Sequence, residues 1–207
     1  YNNLILNINS LSAASSTINT SGPLVSDSTT TRILRTLRGF TSKSITGYEG
    51  GPYTMSLLGV ATERDGTLTF NTNTFRNTVA ANTNVINAFF TDSLNTDNSS
   101  VEISGLTSDT KPGTYALGKS GSDFTLAGVT LSNSGSNYTS SSGDTNGMTL
   151  TISDTSITSA NIYYGESLLS KIDDSLAQLL TYNGDIETRL TNLRDNLADI
   201  PDRELKL

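Results

Sequence analysis

Cysteine, histidine and tryptophan are all absent from this chain of 207 residues. Without thiolate or imidazole there are no disulfides, no thiol nucleophiles, none of the usual zinc-ligand sets and no triad built on a histidine base. A missing cysteine also suits a subunit that is exported unfolded and refolds outside the cell, because no wrong disulfide can trap it. The tyrosines are scattered, so no aromatic platform for sugar stacking stands out. Apolar and charged residues are scarce as well, at 34% and 16%. The remainder is dominated by Ser, Thr, Asn and Gly, a mix that favours strands, turns and polar surfaces over large helical cores.

Thirteen cations against 20 carboxylates give a net charge of −7, the wrong sign for neutralising a phosphate backbone. No run reaches the roughly 18 apolar residues of a bilayer span, and no charged-then-apolar leader opens the chain. The first residue is Tyr1 rather than Met, so the chain is read as an internal fragment with any export signal upstream. Its length suffices for one large domain or two small ones without metal or disulfide help.

What is present has two periods. Leu4, Ile5, Ile8 and Leu11 predict a helix over residues 2–16. Ser26 or Asp27 is placed to cap a second helix, striped by Ile33, Leu34, Leu37 and Phe40, with Gly39 near its end and Arg32, Arg35 and Arg38 beside the stripe. In 54–71 an apolar run, then Arg64-Asp65-Gly66, then alternating Leu68 and Phe70 predict a β-hairpin, with Asp-Gly supplying the positive φ of a tight turn. Asn71 or Asn73 is placed to cap a third helix that carries Phe75, Val79, Val85, Ile86, Phe89 and Phe90 and ends near Leu94.

From about Thr96 to Ser159 the helical period disappears. Short alternating segments at Val101–Ser104, Thr114–Leu117, Phe124–Ala127, Met148–Ile152 and Ile162–Tyr163 are separated by Gly- and Ser-rich turns such as Gly143–Gly147, which reads as all-β. Helical period returns with Leu168, Leu169, Ile172, Leu176, Leu179 and Leu180, breaks at Tyr182–Asp185, and resumes with Ile186, Leu190, Leu193, Leu197 and Ile200. That last series has heptad spacing and is expected to pack among the chain's own helices, with Pro201 in the first turn of a following helix. The fold class expected is α+β: a helical bundle with a β-hairpin, discontinuous over 1–97 and 164–207, plus an inserted small all-β domain over 98–163.

Several motifs invite chemistry. Gly113-Thr-Tyr-Ala-Leu-Gly118-Lys119-Ser120 matches the phosphate-loop pattern letter for letter. A working loop, however, follows a buried strand and opens a helix, whereas this one follows Pro112 and leads into another β segment, so a strand and turn are expected. Asp144-Thr-Asn146-Gly147 is too short for a calcium loop and lacks its bidentate Glu, which leaves a turn. The arginines of the second helix read either as a solvated face or as a subunit interface. In the second reading Arg35 and Arg38 face Asp195 and Asp199, four apart on the last helix and opposite in sign.

Three blocks together resemble the flagellar filament cap family, hook-associated protein 2. Gly22-Pro-Leu24-Val-Ser-Asp27-Ser28-Thr29, followed by Ile33 to Arg38, is similar to that family's helix opening, with Thr31 where an arginine is expected and Arg32 next to it. Leu58-Gly59-Val60 with Asp65-Gly66-Thr67-Leu68 resembles its hairpin, and Ile186 to Leu197 resembles the start of its C-terminal helical region. The resemblance spans about residues 1–95 and 165–207, while the β segment at 98–160 is similar to the extra domains that vary among cap proteins. It implies a secreted, extracellular structural subunit at the tip of the bacterial flagellum, with no enzymatic activity and no cofactor or metal. The subunit would form a ring-shaped homo-oligomer that retains exported flagellin, promotes its polymerisation and adjoins the hook-associated junction proteins. A flagellin-like or hook–filament junction protein is the alternative within structural proteins. A surface adhesion module with host surface glycans as partner is the alternative from another class. Neither nucleic acid nor membrane is an expected partner.

Overall fold

The computed structural model describes residues 1–14, 21–180 and 184–204, without the side chains of residue 185 and residues 199–204. The first helix, expected over 2–16, ends at Ser12, where Ala13 turns to extended backbone; residues 15–16 and the break at Tyr182-Asn183 lie outside the described residues. The fold is mixed α+β.

Helix α1 (Asn2–Ser12) buries Ile5. Helix α2 (Ser28–Ser42) begins where Asp27 accepts a hydrogen bond from the Thr30 amide at 2.8 Å, and it ends as Lys43 turns to extended backbone. That carboxylate satisfies one of the donors that every helix start leaves open. Strands β1 (Val60–Thr62) and β2 (Leu68–Phe70) then pair antiparallel, Val60 opposite Phe70. Their connection is wider than a two-residue Asp-Gly turn: Gly66 takes a positive φ of 89°, its amide donates to Glu63 O, and the Asp65 carboxylate accepts from the Thr67 amide and hydroxyl. The residues before β1 form a short 3-10 helix, Met55–Leu58.

Where one third helix was expected there are two, α3 (Thr72–Ala81) and α4 (Asn84–Phe90). Asn82 interrupts them: its side-chain oxygen accepts from the Asn84 amide at 2.9 Å and its amide nitrogen donates to the Tyr53 hydroxyl at 2.8 Å. Such local bonding by a short polar side chain competes with the helical ladder. Leu94 lies not at a helix end but in strand β3 (Ser93–Thr96). Eight further strands follow: β4 (Val101–Gly105), β5 (Gly113–Ser120), β6 (Asp123–Leu126), β7 (Val129–Thr130), β8 (Ser132–Ser134), β9 (Asn137–Thr139), β10 (Thr149–Ile152) and β11 (Ala160–Gly165). Helices α5 (Leu168–Leu180) and α6 (Asp185–Glu204) close the description, and α6 runs through Pro201 instead of ending before it.

Two compact units emerge. One holds Tyr1–Lys43, Gly59–Asn71 and the chain from Lys171 on; the other holds Ser44–Leu58 and Thr72–Ser170. Residues 98–163 supply most strands of the second unit, which also takes in the segments 44–58 and 72–97 on one side and 164–170 on the other.

The second unit has two antiparallel sheets, ordered β3-β11-β5-β6-β7 and β4-β10-β9-β8. Alternate residues point into one core: Tyr115 and Leu117, Phe124 and Leu126, Leu150 and Ile152, with Met148 and Ile162. The rings of Phe124 and Tyr138 meet edge to face at 5.1 Å, a favoured aromatic arrangement. The buried hydroxyls of Ser140 and Thr145 bond each other at 2.7 Å, which removes the cost of burying them unpaired. Ser44–Leu58 is closed on itself by an Ile45–Tyr53 bridge and joins through Tyr48, whose hydroxyl donates to Thr91 O at 2.8 Å. Gly47 permits that approach, since a Cβ there would lie 1.9 Å from Tyr164 O.

The first unit buries less. Ile5, Leu37 and Phe40 form its core, with Ile8, Ile33, Leu34 and Ile172 packed against them. The Asn2 side chain brackets Leu68, donating to its carbonyl and accepting from its amide, and so ties α1 to β2.

Candidate functional site

Among the described residues no three His, Cys, Asp or Glu side chains gather as metal ligands, and no described helix is long and apolar enough to cross a membrane. The phosphate-loop look-alike is a single strand, β5. Its Lys119 ammonium donates to Thr155 O and sits 4.8 Å over the Phe124 ring, a cation–π contact that commits it to packing. Asp144 pairs with Lys111 at 2.9 Å on the surface, and Asn146 donates to Asp109. Both bonds tie this segment to residues 109–111, and the segment itself is a 3-10 turn, Gly143–Thr145, with the Asn146 amide donating to Gly143 O.

Tyr48, Tyr115, Tyr163 and Tyr164 are pushed above the usual tyrosine range, in each case first by burial and then by neighbouring charges or by another tyrosine. They stay protonated: Tyr48 donates to Thr91 O and Tyr115 to Lys111 O at 2.6 Å.

The chain's charge distribution is the distinctive feature. Ser28–Lys43 carries four cations, Arg32, Arg35, Arg38 and Lys43, and no carboxylate, within a chain of net charge −7. Arg32, Arg35 and Lys43 line an open cleft of about 560 Å³ between α2 and the α5 residues Ser175, Gln178 and Leu179. Arg35 also borders a second cleft of about 530 Å³ on the other side of α2, with Arg38 and Thr62.

The four residues that sequence reasoning assigned to an interface stand apart. Arg35 is exposed between the two clefts. Arg38 is exposed but anchored, its guanidinium donating to Asp65 O at 3.2 Å on the hairpin loop. Asp195 is exposed on α6. Asp199 follows it on the same helix, and its side chain lies outside the described residues. Among the described residues no ion pair joins Arg35 or Arg38 to Asp195.

The pair that does form is Arg189–Asp27, at 2.7 Å, with Asp27 only 8% exposed. The Asp27 carboxyl is held below its ordinary value of 3.8, first by the Thr30 amide and then, against a smaller opposing effect of burial, by Arg189. Nothing in the sequence spacing points to this contact, because its partners are far apart in the chain. The heptad leucines of α6 also differ from expectation. Leu190, Leu193 and Leu197 are exposed rather than packed among the chain's own helices, as is every residue of α6 from Leu190 to Ala198.

A family model described as flagellar hook-associated protein 2 C-terminus matches residues 1–206 of this chain. No curated protein and no solved structure matches it.

Proposed function

Because this chain belongs to the flagellar hook-associated protein 2 family, we propose that it is a subunit of the flagellar filament cap that retains exported flagellin at the tip and promotes its polymerisation. The family is structural, its place is the extracellular tip of the flagellar filament and its role lies in filament assembly. The observation that carries the reading is the extent of the match, residues 1–206 of 207, which takes in both compact units. The flagellin-like and junction-protein alternatives give way to it.

Such a device needs subunit interfaces of moderate strength and no active site. Two charged clefts on α2 fit that need. In this reading the full-length protein forms a ring through its helical bundle, Arg35 and Arg38 of one subunit approach Asp195 and Asp199 of another, and 98–163 acts as an inserted β domain. The ring's partners are flagellin below it and, at the first stage of growth, the hook-associated junction proteins.

Deleting the parent gene tests the role. Short or absent filaments by electron microscopy, with flagellin spilled into the medium and both restored by complementation with the full-length gene, are the expected result. Normal filaments without spilled flagellin would overturn it.

A further inference from the structure

We propose that Asn146-Gly147 is a site of spontaneous deamidation that the folded sheet-bearing unit holds shut, so that the reaction runs only while this part of the chain is open.

The chemistry is set by the sequence. In an Asn-Gly pair the glycine nitrogen can attack the asparagine side-chain Cγ, because glycine has no Cβ to hinder the approach. The nitrogen gives up its proton, the bond from Cγ to Nδ2 breaks, ammonia leaves and a five-membered succinimide remains. Water then opens either carbonyl, giving aspartate or an isoaspartate whose backbone is one carbon longer. Water is the only co-reactant, and asparagine is accordingly among the thermolabile residues. The chain has two such pairs, 146–147 and 183–184. The first lies in the connection between β9 and β10.

The fold opposes the ring closure. It requires the Gly147 nitrogen to eclipse Cβ of Asn146, which at an L centre means a ψ of about −120°. Asn146 stands at a ψ of 125°, so its peptide must first turn by more than about 100°. The bonds that such a turn would break are all in place. The Gly147 amide donates to Ser140 O at 2.8 Å, which ties up the nucleophile and its proton. The Asn146 carbonyl accepts from the Thr110 hydroxyl at 2.7 Å and from the Thr107 hydroxyl at 3.2 Å, and the Asn146 side-chain nitrogen donates to the Asp109 carboxylate at 3.3 Å. Gly147 is also pressed against Thr107, where a Cβ would lie 2.1 Å from the hydroxyl oxygen. The next residue, Met148, has no exposed surface and donates its amide to Thr145 O. Swinging the peptide therefore means lifting a core residue, and openings of that kind are rare inside a packed unit.

Either product would damage the turn. Aspartate would set a second carboxylate against Asp109, where a hydrogen bond now stands, and like charges would meet. Isoaspartate would lengthen the backbone just before Met148 and push it off its seat in the core. For a subunit that works outside the cell, as in the reading above, the closed turn preserves a pair that would otherwise decay irreversibly.

The test incubates the whole chain at mildly alkaline pH, folded in buffer and unfolded in urea, and follows conversion of Asn146 by peptide mapping with mass spectrometry. In urea Asn146 should convert at about the rate of Asn183, since both precede glycine. In the folded chain Asn146 should convert more slowly than in urea by about a hundredfold or more. Thr110→Val, which removes the shorter of the two hydroxyl bonds to the Asn146 carbonyl, should speed conversion in the folded chain by about fivefold or more and leave the rate in urea unchanged. Thr107→Ala, at an exposed position, gives the same test in a chain that keeps its core, with an increase in the same direction. A slowing on folding smaller than that, or a folded-state rate that neither threonine variant moves, would overturn the proposal.

Discussion

In the sheet-bearing unit Leu126, Leu150 and Ile162 have no exposed surface, whereas on the last helix of the other unit Leu193 is 39% exposed and Leu197 65% exposed. The contrast has a simple origin. A strand shows its apolar side chains to one face, and two sheets laid together close that face completely. An amphipathic helix closes its stripe only against other helices; here α1, α2 and α5 bury Ile5, Leu37 and Phe40 with Ile172 packed against them but leave Leu4, Leu11, Leu176 and Leu180 exposed, and α6 leaves Leu190, Leu193 and Leu197 exposed. The sheet core is therefore closed at its centre, while the last helix of the other unit leaves apolar side chains exposed.

The largest effect expected from breaking the contrast is in the sheet core. Leu150→Ala should cost about 2–5 kcal/mol by lost burial and an unfilled cavity, read as a lower urea midpoint at unchanged slope. A loss below about 1 kcal/mol would mean the sheets are not closely packed. Next comes the helical unit's tie. Asp27→Ala removes a cap and an ion pair together and should cost about 1–2 kcal/mol, whereas Asp27→Asn keeps a capping oxygen and should cost less. Because the Asp27 carboxyl is depressed in the folded chain, its contribution is present above the unfolded value of 3.8 and is lost as pH falls through the lower folded value. The gap in melting temperature between wild type and Asp27→Ala should accordingly close in acid. The smallest effect belongs to the open stripe: Leu197→Ala should change the stability of the isolated chain by no more than about 0.5 kcal/mol, and a loss of about 2 kcal/mol would show the stripe to be packed after all.

The sequence shows where physics is local and falls silent where it is not. Asp27 as a cap, the hairpin at Val60–Phe70 and strands such as Thr114–Leu117 and Leu150–Ile152 are written in neighbouring residues, by a short acceptor before an apolar stripe or by simple alternation. Ser132–Ser134 and Asn137–Thr139 are too polar to show alternation, and they become strands only because β10 offers a ladder to β9, and β9 to β8. The break at Asn82 depends on Tyr53, 29 residues away. The same holds for Ser44–Leu58, which lies beside the helices in sequence but belongs with the sheets, where Gly47 and Tyr48 lie against Tyr164 and Gly165. At the candidate interface the cationic run on α2 was legible as charge. What separates Arg38 from Arg35, a backbone carbonyl on the hairpin loop, was not.

Native-state amide hydrogen exchange on the chain at a concentration where it is monomeric tests the division between the units most directly. Amides of β5, β10 and β11 should exchange only through global unfolding, while α6 amides around Leu193 should exchange through local opening, faster by about a hundredfold or more. Equal protection of α6 and the sheets in the monomer would contradict the account, because a helix that open on its apolar face has no packing to hold it.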